Sequence, residues 1–379
     1  MVPEYRNSDR HRGKVHRACD GVARKRISLA LQGGGAHGAY TWGVLDRLLE
    51  DERIEIEGLS GTSAGAMNAG ALLQGLLHDG REGARDALHQ FWCNVAEFAA
   101  FSPIRRTVYD RWFGNWNLDK SPAYLWADMI GRLFSPYDLN PQNLNPLRDF
   151  LQKNLDVAAI RSAEPFKLFV SATNARTGEI RVFYREEITS EVLLASACLP
   201  LAFQAVEIEG DPYWDGGYMG NPALYPLIEQ CEGGDIVIVQ IDPLTRDAPL
   251  RSASDILNRL NEITMNASLN HELHIIAFVQ KLVESGQLTG EATAALRRTR
   301  VHMISSEDIM VELGVASKMN GELEFLQHLR DIGRGRTDAW LAENYQLLGQ
   351  RSSIDVAERF LRPTSRRWMA AGTAPHRET

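Results

Sequence analysis

Three short segments carry residue types that could together attack an ester. Gly61-Thr62-Ser63-Ala64-Gly65 sets a serine among small neighbours. A serine hydroxyl is a poor nucleophile unless it is held out beside a base. A sharp strand-to-helix turn holds it so, and the backbone can close on itself there only with small residues on both sides. A helix starting after Ser63 would also aim its positive end at the site. Gly33-Gly34-Gly35-Ala36-His37-Gly38 offers amides unshielded by side chains, suited to the oxygen of a tetrahedral intermediate. Removing one such donor typically costs ~2.7–4 kcal/mol of transition-state stabilisation. Trp214-Asp215-Gly216-Gly217 places a carboxylate before two glycines that allow a tight turn around it. Alone, an Asp-Gly pair is an ordinary turn. With the other two segments it supplies the missing base.

Each segment has a rival reading. Gly33–Gly38 also satisfies GxGxxG after a strand, the loop of a dinucleotide site, which wants an acid ~20 residues on at the end of the second strand. Glu55 and Glu57 lie near that distance but within the strand, and its end is taken by the Ser63 turn. A nucleotide and a nucleophile would compete for one mouth, so the oxyanion reading is preferred. A Ser-His-Asp triad could draw on His271, His274 or His302, which more commonly would be surface or core helix positions. His271-Glu272-Leu273-His274 is HExH, not HExxH, so zinc-protease geometry fails.

The positioning elements follow from the apolar pattern. Ile27–Leu31 reads as a buried strand, then the glycine loop, then a helix with Val44, Leu45, Leu48 and Leu49 on one face. Ile54–Ser60 reads as a second strand, followed by the Ser63 turn and a helix through Leu77. This βαβα order implies a parallel sheet with helices on both faces. Further strands are expected at Phe166–Thr173, Ile180–Tyr184, Ile236–Ile241 and Val301–Ser305. The fold class expected is α/β, a three-layer α/β/α sandwich with a mainly parallel central sheet. Residues 27–245 would form the catalytic domain, with 91–150 as an aromatic helical cap inserted into it. That cap could pack, wall an acyl chain or face a membrane as a lid. Residues 246–362 read as a helical C-terminal region (Ser254–Ser285, Thr289–Arg298, Gly321–Leu348) with a returning strand at 301–305, before a frayed tail over 363–379.

The chain has 379 residues, 44% hydrophobic and 24% charged, which supports a packed core and excludes global disorder. A net charge of −8 disfavours a nucleic-acid-coating protein, so no nucleic-acid partner is expected. The four cysteines, without CxxC, fit neither a zinc module nor a disulfide scaffold and suit a reducing compartment. No stretch approaches the ~18 apolar residues of a membrane span. Residues 1–26 read as a basic, disordered extension without the apolar run of a secretory signal. A cytoplasmic location is therefore expected, with peripheral membrane contact left open, since basic residues near an anionic surface contribute ~1 kcal/mol each.

Taken in order, Gly33–Gly38, Gly61–Gly65 and Asp215-Gly216-Gly217, with Ala195-Ser196-Ala197-Cys198-Leu199-Pro200 before the aspartate, resemble the patatin-like phospholipase family over residues 27–225. The resemblance implies a Ser-Asp dyad: Ser63 attacks the ester carbonyl, and Asp215 takes its proton and later activates water on the acyl-enzyme. It implies an oxyanion hole in the Gly33, Gly34, Gly35 loop, chiefly the amides of Gly34 and Gly35. His37, Gly38, Gly61, Gly65, Gly216 and Gly217 would support the loops. It implies a phospholipase A or lysophospholipase acting on phospholipid or another acyl ester, with no metal and no organic cofactor. The residues alone imply an acyl ester or thioester, so a triacylglycerol lipase, a carboxylesterase or an acyltransferase on the same site is the alternative. A catalytically silent lipid-binding scaffold is the alternative of another class. His37 stands where many family members carry Arg or Lys to pin the glycine loop, so a looser loop is expected at high pH. A free carboxylate near pKa 4 is a feeble base, so Asp215 needs burial, expected from Trp214, Leu199, Leu201 and Phe203.

Overall fold

The computed structural model describes residues 24–247, 249–290 and 293–361. Most of the basic extension and the tail expected beyond 362 lie outside them. The first strand starts at Lys25, not Ile27: Lys25 donates to the Leu348 carbonyl at 2.9 Å, which ties that strand to a distant part of the chain.

The chain runs β1 (Lys25–Leu31), α1 (Gly38–Glu50), β2 (Ile54–Gly61) and α2 (Ala64–Ala99). It continues through α3 (Val108–Trp112), α4 (Pro122–Leu133), α5 (Pro136–Leu139), α6 (Pro146–Asn154) and α7 (Val157–Ser162). β3 (Lys167–Asn174), β4 (Ile180–Tyr184), α8 (Ser190–Ser196), β5 (Val206–Ile208) and β6 (Asp211–Asp215) follow. The remainder is α9 (Tyr225–Gln230), β7 (Asp235–Val239), α10 (Ala253–Glu284), α11 (Ala294–Arg298), β8 (Arg300–Ile304), α12 (Glu307–Met310), α13 (Leu323–Asn344) and α14 (Val356–Phe360).

These eight strands form one mixed, mostly parallel sheet: β1 pairs in parallel with β2 and β7, β2 with β3, and β7 with β8. Side chains alternate across it, as a strand's two-residue period requires. In β7, Val237 and Val239 join the core under α1, α2, α8 and α13, whereas Ile236 and Ile238 join the core under α9, α10 and α14. The molecule is a three-layer α/β/α sandwich. No described helix is long and apolar enough to cross a membrane.

Two departures from the sequence reading concern α2 and the cap. The helix does not end near Leu77; it breaks at Asp79 and Gly80 and resumes to Ala99. Phe91 and Trp92 thus lie on a core helix and are buried, and position 91 is no boundary. Trp92 donates its indole N–H to Asn68, which in turn donates to the Gly38 and Ala64 carbonyls. Between Ala99 and α6 the chain holds three short helices, and most of its large apolar side chains are exposed. In the C-terminal part, the helix expected over 289–298 is only Ala294–Arg298 among the described residues.

Sheet register decides where the site forms. β4 pairs with residues 169–173 of β3, while β2 pairs with 167–170 and β6 with 172–174. β4 overlaps both others, so β2 and β6 share the opposite edge of β3. β2 runs parallel and β6 antiparallel to it, so their C-terminal ends, Gly61 and Asp215, meet head to head.

Candidate active site

Ser63 stands in the gap between these strand ends. It has φ 52° and ψ −122°, outside the regions a side chain prefers, a strain of about 1–3 kcal/mol that only a well-determined surrounding can hold. The surrounding is explicit. The Ser63 amide donates to the Ser196 hydroxyl at 2.9 Å, and the Thr62 hydroxyl donates to the Gly220 carbonyl at 2.6 Å. The Gly65 amide donates back to the Thr62 carbonyl at 2.8 Å. A methyl on Gly33 would sit 2.7 Å from the Ser63 Cβ, one on Gly38 2.6 Å from the Ala64 Cβ, and one on Gly61 2.7 Å from the Ala66 amide nitrogen. One on Gly65 would strike the Leu31 carbonyl. The small residues around Ser63 are there for close approach.

Asp215 is buried, with its backbone locked on both sides. Its amide donates to the Cys198 carbonyl at 2.8 Å, and its carbonyl accepts from the Thr173 hydroxyl at 2.8 Å. Its Oδ1 accepts from the Gly217 amide at 2.7 Å. Burial pushes the carboxyl up to about 6, against the opposing hydrogen bonds from the Gly217 amide and the Ser63 hydroxyl and the positive charge of Lys318. The dry wall is only in part the one expected: Trp214 and Phe203 are half-buried against the core, but Leu199 and Leu201 are exposed. The rest comes from the β6 position in the sheet, from buried Cys198, and from Met265 of α10, whose sulfur would lie 2.7 Å from a methyl on Gly217. Gly216 packs on the Ser171 carbonyl so closely that a side chain there would strike it.

The glycine loop divides its labour. The Gly33 amide is already given to Asn221 Oδ1 at 2.7 Å, so Gly33 contributes close approach and anchorage, not a free donor. Gly34 is half-buried and Gly35 exposed, and among the described residues neither amide has an acceptor. His37 Nε2 lies 2.7 Å from the Ser317 hydroxyl. Burial, then the charge of Lys318, lowers the imidazole to about 3, so it stays neutral at any ordinary pH. Loosening of the loop at high pH through His37 is therefore not expected.

The other candidates are elsewhere. His271 is exposed, and His274 Nδ1 contacts the Phe360 carbonyl at 2.9 Å. His302 Nε2 meets Asp235 at 2.9 Å, at the N-terminal end of β7 and so across the sheet from the Ser63 turn. Glu57 accepts from the Glu232 and Gly233 amides and Glu55 pairs with Arg26, so neither acid faces the glycine loop. Among the described residues no group of three His, Cys, Asp or Glu is placed to hold a metal ion. Ser196, Asn221, Ser317 and Lys318 went unassigned in the sequence. Only the Asn221-Pro222 pair beyond Asp215 hinted at a turn.

A family model described as patatin-like phospholipase matches residues 29–228, more than half the chain. The chain belongs to the patatin-like phospholipase family. That family acts on lipid substrates, and membership supports a general lipid acyl hydrolase activity for this chain. Among solved structures, VipD from Legionella pneumophila aligns at 15% identity with a TM-score of 0.34, covering 89% of this chain and 73% of that one. A likeness of that degree carries no inference about chemistry. No similar sequence was found among curated proteins.

Proposed function

We propose that this patatin-like protein is a phospholipase A or lysophospholipase that works through a Ser63–Asp215 dyad and an acyl-enzyme. Asp215 accepts the Ser63 proton as Oγ attacks the ester carbonyl. The carbonyl oxygen, now negative, takes hydrogen bonds from the Gly34 and Gly35 amides. Collapse breaks the ester bond, and protonated Asp215 gives its proton to the leaving alcohol. Asp215 then removes a proton from water, which attacks the acyl-Ser63, and returns it to Ser63 Oγ as the acyl–oxygen bond breaks and the fatty acid leaves. The observation that carries this reading is a buried carboxyl, raised to about 6, at the strand end that meets the strained turn of Ser63. The α2 dipole, positive at Ala64, favours the negative charge that develops there.

The lipid preference is supported by the outward face of the inserted segment. Phe101, Trp112, Phe113, Trp126 and Leu133 are mostly exposed, and α4 has no buried residue. Leu201 continues that apolar surface beside α4, where a methyl on Gly131 would lie 3.6 Å from its carbonyl. Leu201 lies three residues past Cys198, whose carbonyl accepts from the Asp215 amide, so a lipid surface resting here would lie close to the site.

The test is hydrolysis of a phospholipid, lysophospholipid and triacylglycerol panel by wild type, Ser63→Ala and Asp215→Asn, with products identified by mass. Free fatty acid from phospholipid, lost in both variants, supports the proposal. Hydrolysis that survives Ser63→Ala refutes it, transfer of acyl groups to a lipid alcohol makes the protein an acyltransferase, and no turnover of any lipid leaves a binding scaffold.

A further inference from the structure

The family match ends at residue 228, yet the glycine loop is gripped by residues nearly a hundred positions further on. Val315–Met319 forms a short 3-10 turn laid over Gly34-Gly35-Ala36-His37. Ser317 is fully buried, and its only proton goes to the Gly314 carbonyl at 2.7 Å. The 2.7 Å contact with His37 Nε2 is therefore a hydrogen bond from the imidazole N–H to the Ser317 oxygen, which also assigns the tautomer. Next to it, the Lys318 carbonyl lies 2.5 Å from where a Gly35 Cβ would be, and Gly35 has φ +56°.

The Lys318 side chain closes the other side. Its ammonium lies 2.7 Å from Asp242 Oδ1 and 2.9 Å from Asn261 Oδ1. Asp242 is buried, follows Ile241, and gives its amide to Gln32 Oε1 at 3.0 Å. The Ile241 Cγ2 would sit 3.0 Å from a methyl on Gly34. The turn is itself fixed, since the Gly314 amide donates to Asn117 at 2.7 Å and the Val315 amide to Asn258 at 2.9 Å.

We propose that Ser317 and Lys318 are positioning residues that clamp the Gly33–Gly38 loop from two sides and so aim the Gly34 and Gly35 amides at the reacting oxygen. This extends the oxyanion role proposed above and rests on it. Three consecutive glycines have the greatest backbone freedom of any tripeptide, and donors misplaced by ~1 Å can lose ~100-fold in rate. Ser317 holds the loop through His37. Lys318 holds it through its carbonyl on one side and, through Asp242 and Ile241, on the other. Neither touches substrate.

The experiment compares wild type, Ser317→Ala, Lys318→Arg and the charge-neutral double variant Lys318→Met/Asp242→Asn, which leaves no buried carboxylate unpaired. Two quantities are read on folded protein: kcat and KM for a soluble short-chain ester, and hydrogen-exchange protection of the Gly33 and His37 amides. Ser317→Ala and the double variant should lose about 10- to 100-fold in kcat with KM within about twofold, and exchange at both amides should quicken. Lys318→Arg keeps the ion pair and should restore both readouts to near wild type. Variants that hydrolyse as fast as wild type, or whose loop exchange is unchanged, overturn the clamp even if Ser63 proves to be the nucleophile. A wild type without hydrolysis, whose loop exchange still quickens in the variants, refutes the proposed chemistry and leaves the clamp standing.

Discussion

Asp215 shows what the proposed chemistry demands of one side chain. A carboxyl raised to about 6 by burial is a usable base near neutrality, and it also lowers stability when ionised. With an unfolded value near 3.8, the folded state binds the proton more tightly. The favourable contribution is complete below pH ~4 and is lost as pH rises through ~6. Asp215→Asn should therefore be more stable than wild type at pH 8, by up to about 3 kcal/mol, and no more stable at pH 4, as read by thermal melts at both values. In the wild type, kcat/KM should fall below an apparent pKa near 6, because the base must be unprotonated in the free enzyme. Asn221→Ala should release the Gly33 amide and cost about 1–3 kcal/mol in a denaturant titration, with a lower kcat. Ser63 and Asp215 were legible in the sequence because glycine spacing marks the turns that hold them. The roles of Ser196 and Asn221 were not, since each acts across more than 130 residues and the local segments that hold them show nothing of their partners.

At the scale of elements, close approaches explain which positions exclude a side chain. In Gly65→Ala the new methyl would strike the Leu31 carbonyl of β1, so soluble folded protein should not be recovered on expression. Gly80→Ala has nothing within 4 Å but keeps a φ of +58°, so it should fold and lose about 1–2 kcal/mol in the same denaturant titration. The strands with clean apolar alternation were readable to within a residue or two. β5 and β6 are short, separated by Glu209-Gly210 and, in β6, interrupted by Pro212, so the antiparallel pairing that delivers Asp215 had no local signature. Periodicity likewise could not tell that the helix after Ser63 resumes beyond Gly80. Both halves have an apolar face, and the break lies in two residues of backbone conformation.

Across the whole molecule, the described elements past 245 are part of the sandwich. β8 extends the sheet, and α13 buries Phe325, Leu326 and Leu329 where Gly333 of α13 and Gly43 of α1 allow two helices to touch. The sequence read as helical there and could not name what the helix covers. A fragment ending at residue 245 should show no cooperative thermal transition. The exposed aromatic face belongs to this scale too. Trp112→Ala/Trp126→Ala should lower turnover of vesicle phospholipid about tenfold or more while leaving a soluble short-chain ester within about twofold, since each exposed tryptophan contributes interfacial burial and neither has a part in the proposed chemistry. The most direct test of the central claim is acid-quenched peptide mapping after mixing the protein with a slowly hydrolysed acyl ester. The account predicts an acyl mass on the peptide containing Ser63, formed by wild type and not by Asp215→Asn; an acyl mass on any other residue, or fatty acid released with no covalent intermediate at Ser63, would contradict it.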